Sequence, residues 1–250
     1  MDIQTIFIVL FATAGATFLS SMSGGGASVI SLPIFLWAGI PLPLSIATHK
    51  VSAIFWTPIS AWNYLKDRKI DWHFLFIFTA IGLIGAYLGV QVVTHIDEAV
   101  LSKVIGAIIL FFVFHTYLKK DLGLKEKRIV SSTKKNLSYI AAIIMGFYES
   151  ILGSGNGIAF AALTFHTRGF DFIDALGYYF AIAFFWVSFA SALFIGQGYF
   201  DVRLMGAAII GSIIGGYLGS KYAKFKGNKF IKNVFITVGT LLALKLLIVG

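Results

Sequence analysis

Apolar runs recur from end to end of the chain, at Ile3–Met22, Phe74–Val93, Val104–Leu118, Phe180–Ile195 and Phe230–Val249, with short polar or basic stretches between them. Each comes near the ~20 residues a helix needs to cross a hydrocarbon core. The runs are continuous rather than alternating, so helices and not barrel strands are the elements they predict. Two further apolar segments, Ala27–Ala38 and Gly157–Arg168, are much shorter. A dozen residues at 1.5 Å each reach only ~18 Å, less than a ~30 Å core. They fit either thin spans or the return arms of re-entrant hairpins. Counting them gives five segments in each half of the chain.

Composition points the same way. Hydrophobic residues make up 58% and charged residues 12%, and mean hydropathy is +0.87, whereas soluble domains carry about a quarter charged residues. The chain reads as an all-α polytopic membrane protein of the cell (inner) membrane. Asp2 is the only charge ahead of the first run, so that run reads as a retained span rather than a cleaved signal. The net charge of +9 is concentrated in loops, which fits orientation at an anionic membrane face and not nucleic-acid binding. With no cysteine there is neither a disulfide framework nor a thiolate metal site. No cofactor motif or metal-ligand spacing is present, and neither a cofactor nor a metal is expected.

A constant offset that carries Asp71 onto Asp201 also carries Ala53-Ile-Phe-Trp56 onto Ala183-Phe-Phe-Trp186 and Gly85-Ala-Tyr-Leu-Gly89 onto Gly215-Gly-Tyr-Leu-Gly219. Blocks holding tryptophan, tyrosine and spaced glycines do not line up by chance in this way. The chain therefore reads as a duplication: repeat 1 at 1–118, a basic linker at 119–135 and repeat 2 at 136–250. The linker carries Lys119, Lys120, Lys125, Lys127, Arg128, Lys134 and Lys135, so the positive-inside rule puts it in the cytoplasm. Counting back places Thr94–Ala99 outside and Lys66–Lys69 inside. Lys221–Lys232 is also basic and inside, which puts Gly196–Asp201 outside, although it is the repeat-mate of Lys66–Asp71. The repeats are thus expected to be inverted, with both termini on the non-cytoplasmic side.

Glycine-rich breaks fall at matching places in the two halves, Ser23-Gly-Gly-Gly-Ala27 and Gly153-Ser-Gly-Asn-Gly157. Paired interruptions of this kind point to a transporter's substrate site, because a broken helix frees backbone groups for a polar ligand. The N-terminus of the segment that resumes is suited to an anion. This makes Ser23, Gly24, Gly25, Gly26, Ser154, Gly155 and Asn156 candidate binding residues. The alternative is that the glycines merely let helices approach. In Ala47-Thr-His-Lys-Val51, Lys50 supplies a cation inside an apolar segment, with Thr48 and His49 as hydrogen-bonding neighbours, unless Lys50 snorkels to the interface. The repeat-mates of His49 and Lys50 are Tyr179 and Phe180, so the second half offers Tyr178 and Tyr179 instead of a cation. Glu149 is an intramembrane acid, a candidate for proton coupling or for pairing with Lys50, or else a structural partner of the break. The remaining histidines read as interfacial, and Asp171 and Asp174 as solvated loop charges.

Ser23-Gly-Gly-Gly-Ala27 followed by Pro33, then Gly39-Ile-Pro41 and Ala47-Thr-His-Lys50, resemble the first-half signature of the TauE/SafE family of sulfite/sulfonate exporters and permeases. Gly146-Phe-Tyr-Glu-Ser150 followed by Gly153–Gly157 resembles that family's second-half run, with Glu149 where an Asp is usual. The resemblance implies transport of small sulfur-containing anions such as sulfite, thiosulfate, taurine or sulfoacetate. The expected function is secondary transport by alternating access, with the small anion, the lipid bilayer and a homodimer mate as the partners the reading admits. An anion channel stays open as an alternative. An intramembrane serine hydrolase fits less well, because Ser154 lies in no Gly-x-Ser-x-Gly.

Overall fold

A computed structural model describes residues 3–92, 98–125, 131–151 and 153–248. These residues form ten helices: α1 (Ile3–Ser23), α2 (Ala27–Trp37), α3 (Leu42–Leu65), α4 (Trp72–Val92), α5 (Glu98–Leu118), α6 (Ser132–Ile151), α7 (Asn156–Thr167), α8 (Phe172–Gly196), α9 (Val202–Lys226) and α10 (Asn228–Ile248). No strand occurs among them. The short segments are α2 and α7, each beginning directly after a glycine break. Helix α6 starts within the stretch read as a linker. Of the loops expected from the sequence, residues 94–97 and 126–130 lie outside the described residues.

Hydropathy alone selects five helices able to cross a membrane among the described residues: α1, α4, α8, α9 and α10. Helix α3 is long enough, yet it carries Ser45, Thr48, His49, Lys50 and Ser52 on buried positions. It tolerates them because it packs along both α8 and α9, so its polar groups face protein and not lipid. Its start is set by Pro41 at the N-cap with Pro43 in the first turn, where the missing N–H costs nothing. Helices α4 and α9 begin alike. Asp71 Oδ1 accepts from Phe74 N at 3.0 Å, and Asp201 Oδ1 accepts from Arg203 N and Leu204 N at 2.9 and 3.0 Å. The aligned aspartates of the two halves are N-caps.

The packing repeats between halves. Helix α1 lies along α9 as α6 lies along α4; α3 touches α9 as α8 touches α4; and α3 meets α8, and α5 meets α10, across the middle. The two long contacts are glycine-lined. A β-carbon added at Gly211, Gly215 or Gly219 of α9 would run into the backbone of Leu10, Ala14 or Phe18, and one at Gly85 or Gly146 would strike the Ile143 or Gly82 carbonyl. Without side chains there, helices close to van der Waals contact, the main attraction available in lipid. Leu10, Ala14 and Phe18 face Gly211, Gly215 and Gly219 in turn, so α1 and α9 run in the same direction.

One end of the bundle is tied by ions. Arg68 pairs with Asp171 at 2.8 Å and with Asp174 at 3.5 Å, Arg168 with Asp71 at 3.8 Å, and Lys224 with Asp67 at 2.8 Å. Asn228 joins them through Asp171 at 2.9 Å and the Leu124 carbonyl at 3.1 Å. The start of α4, the C-terminal side of α5, the start of α8 and the α9–α10 junction therefore share this end. This corrects the sequence reading of Asp171 and Asp174: they are buried and hold Arg68. At the opposite end Ile40, Phe194, Leu204 and Met205 share an apolar cluster with Val9 of α1.

Candidate functional site

The two glycine breaks meet. A β-carbon at Gly25 would lie 2.8 Å from Gly155 Cα, and one at Gly24 would lie 3.2 Å from the Gly157 backbone. The turns that allow this approach need a left-handed backbone at matching places: Gly24 and Gly26 have φ of 84° and 100°, Gly153 and Gly155 of 67° and 77°. Side chains are costly in that region and glycine is not. Packing therefore accounts for part of the glycine content, though the partner is the other break and not a helix flank. A hydrogen bond between the hydroxyls of Ser28 and Ser154 spans the same junction.

Each break opens a helix without a side-chain cap. Gly26 is the N-cap of α2 and Gly155 of α7, so neither start is covered by a serine or aspartate oxygen. Helix starts of this kind carry partial positive charge and donors suited to an oxyanion.

Around this junction are the charged residues. Lys50, on α3, is buried, and its Nζ lies 3.7 Å from Glu149 Oε1 with side-chain exposures of 2% and 8%. The same Nζ donates to the Glu149 carbonyl. Glu149 sits in the last turn of α6, and its other oxygen, Oε2, accepts from Asn156 Nδ2 at 2.8 Å and from Tyr179 Oη at 2.9 Å. Asn156 also donates to the Met145 carbonyl at 3.0 Å, which fixes the start of α7 against α6. The chain thus brings a cation from the first half to one oxygen of an anion in the second and supplies two hydrogen-bond donors to the other oxygen. Glu149 serves as partner of Lys50 and of the break at once. Two sequence alternatives, pairing and structural support, are the same geometry.

Between Lys50, Glu149, the first turn of α2 and Trp56, Tyr179 and Phe180 lies a cavity of about 30 Å³. That is room for about two water molecules, each needing roughly 10–15 Å³ of such space. A sulfur oxyanion, with its several heavy atoms, enters only if side chains there move apart. His49 also faces this cavity, and its Nδ1 lies 3.1 Å from Ser31 Oγ on α2. Ser23 is bonded locally, to the Leu19 and Gly25 carbonyls at 3.0 Å each.

Two sequence candidates stand elsewhere. The Tyr178 hydroxyl accepts from Asp71 N, and its ring stacks on Phe170 at 4.6 Å between centroids. It belongs to the ion-tied end and not to this cavity. Of the two adjacent tyrosines, Tyr179 lines the cavity and Tyr178 does not. Thr48 is buried, and its hydroxyl has no hydrogen-bond partner among the described residues. Several contributors went unnoticed in the sequence: Ser28, Ser31, Trp56, and Tyr148, whose hydroxyl donates to the Ser154 carbonyl. Ser28 carried a usable signal, being in the first turn after a break. Lys245, in the last turn of α10, donates to the Val29 carbonyl at 2.6 Å and pins α2 from behind. Its place near a segment end hid it. His115 and His166, read as interfacial, face each other at 3.2 Å.

The family described as "Sulfite exporter TauE/SafE" matches residues 8–246. A probable membrane transporter protein of Sinorhizobium is 28% identical over 97% of this chain and 91% of its own length. One from Haemophilus influenzae is 23% identical over 98% and 96%, and one from Escherichia coli K12 is 25% identical over 96% and 88%. No solved structure gives a significant match.

Proposed function

The chain belongs to the sulfite exporter TauE/SafE family of membrane transporters, and on that premise we propose that it is a secondary carrier of small sulfur-containing oxyanions, with sulfite, thiosulfate and sulfonates such as taurine or sulfoacetate as its substrate class. The observation that carries this reading is Lys50, buried beside two uncapped helix starts. Its counter-charge is supplied by the chain's own carboxylate at 3.7 Å. An arriving anion takes the place of that carboxylate against Lys50, and the α2 and α7 starts receive its oxygens.

Charge balance then gives Glu149 its role. A cation, a carboxylate and a bound anion together leave an uncompensated negative charge in a buried site, which is costly. A proton on Glu149 removes that excess, so anion and proton move together. The two halves are proposed to be inverted copies that rock about the crossing breaks. Support comes from the repeated packing and from the parallel run of α1 with α9 and not with its repeat-mate α6. The end holding Lys66, Arg68, Lys120, Arg168 and Lys224 is assigned to the cytoplasm by its basic excess.

A thermal-shift panel on the purified chain tests the substrate class. Sulfite, thiosulfate, taurine and sulfoacetate are compared with acetate and succinate, on the wild type and on Lys50→Met. Stabilisation by sulfur oxyanions that Lys50→Met loses is the expected result. Stabilisation by carboxylates alone, or an undiminished response of Lys50→Met, overturns the assignment.

A further inference from the structure

We propose that the cleft between the C-terminal end of α5 and the start of α10 binds the phosphate headgroup of an anionic phospholipid. The cleft is a cavity of about 370 Å³ lined by Tyr117, Leu118, Lys120, Lys229, Lys232 and Asn233, with Leu124 and Ile236 at its side. It lies at the basic end of the bundle, shares no lining residue with the Lys50–Glu149 cavity, and is independent of that site.

Lys232 is the built part of the site. It is buried, and its Nζ donates to the carbonyls of Lys119 and Lys120 at 2.6 and 2.8 Å and lies 3.4 Å from that of Leu122. These are carbonyls just past the end of α5, where the helix dipole is negative. Lys232 therefore neutralises the feature that would otherwise repel an anion, and its own charge is met by carbonyl dipoles, with Asp121 near enough to act on it but no carboxylate within ion-pair distance among the described residues. Lys120 and Lys229 are exposed at the same cleft and form no ion pair among the described residues. Asn233 and the Tyr117 hydroxyl add neutral donors beside them. Two exposed cationic side chains, Lys120 and Lys229, beside carbonyls that Lys232 neutralises suit the phosphate of a phospholipid, and basic pockets between membrane helices bind such headgroups.

The choice of a lipid over a free phosphate rests on what adjoins the cleft. Phe111, Phe114, Tyr117 and Leu118 form a ridge along α5 with exposures of 65%, 59%, 64% and 60%. This ridge leads away from the lysines toward the middle of the bundle. A headgroup on Lys120 and Lys229 places its acyl chains on that ridge, so one molecule satisfies both the charge and the apolar surface.

The test uses the full chain, stripped of lipid in a neutral detergent and titrated with dioleoyl phosphatidylglycerol, dioleoyl phosphatidylcholine or inorganic phosphate. Bound lipid is counted by native mass spectrometry. Lysines at a membrane surface contribute about fivefold each in affinity, so Lys120→Gln/Lys229→Gln is expected to weaken phosphatidylglycerol binding about thirtyfold. Phosphatidylcholine retention should be unchanged, and Lys66→Gln/Lys69→Gln, which removes the same charge from another loop, should bind phosphatidylglycerol as the wild type does. Equal retention of both lipids overturns the proposal. So does an equal loss in the two double variants, or competition by inorganic phosphate strong enough to show that the acyl chains contribute nothing.

Discussion

Neutralising one partner of the Lys50–Glu149 pair should destabilise the chain far more than neutralising both. Glu149→Gln keeps the shape of the side chain and an oxygen for Asn156 and Tyr179, but leaves Lys50 with the backbone carbonyl of residue 149 as its partner. At the observed 3.7 Å, unit charges attract by about 4 kcal/mol for an effective dielectric constant of about 20. Both side chains are almost fully buried, so solvent screening takes little from that figure. It agrees with the roughly 3–5 kcal/mol lost when a buried pair is broken on one side. For a chain of this size each kcal/mol moves Tm by roughly 2–4 °C, so Glu149→Gln should melt about 10 °C early. Lys50→Met should cost somewhat less, because the carboxylate keeps two donors. In Lys50→Met/Glu149→Gln no buried charge is stranded, and the expected loss is at least about 2 kcal/mol smaller than the sum of the single losses. Tryptophan fluorescence during thermal and mixed-micelle unfolding reads all four proteins. Additivity within about 0.5 kcal/mol would refute the coupling and the burial argument behind it.

Gly157→Ala sets a β-carbon against the Gly24 carbonyl and the Tyr179 ring; it should abolish transport and lower Tm, whereas Gly206→Ala, in the second turn of α9 with nothing within 4 Å, should leave stability unchanged or raise it by up to about 1 kcal/mol. Ser28→Ala leaves the Ser154 hydroxyl without its partner across the breaks and should cost about 1 kcal/mol by chemical denaturation, with transport slowed more than folding is harmed. The hydrogen bond from Lys224 holds the exposed Asp67 carboxyl below the usual carboxylate range, so its contribution is present above about pH 4 and is lost as pH falls through the depressed value. The Tm difference between wild type and Asp67→Asn should therefore be flat from about pH 8 to about pH 5 and shrink only in stronger acid.

Much of the fold was open to a reading of the sequence because lipid enforces simple rules. Runs such as Phe74–Val93 and Phe230–Val249 needed only length and hydropathy, and α4 and α10 occupy nearly those spans. The breaks were visible because glycine clusters stand out in apolar text, and the match of Asp71 with Asp201 came from the duplication, though their capping role came only from the structure. Helix α3 was harder: its buried serines, threonine, histidine and lysine look unlike a span until its neighbours are known. At the site, Lys50, Glu149 and Asn156 could be named because charges and amides are rare there. That they bond to one another could not be read, since α3 and α6 pack chiefly on other helices and residues 50 and 149 meet only where the breaks come together. Tyr178 went astray for a local reason, as one helical step separates a ring at the cavity from a ring at the ion-tied end. Asp171 and Asp174 were misread because their partner, Arg68, lies in the other half of the sequence.

Exchange of an anion with the Glu149 carboxylate, together with a proton, is measured by sulfite flux into proteoliposomes under an imposed pH gradient, comparing wild type with Glu149→Gln. The wild type should accumulate sulfite with the gradient, and Glu149→Gln should show only exchange that ignores it. Accumulation by Glu149→Gln equal to that of the wild type, or a wild-type flux indifferent to the proton gradient, would contradict this coupling.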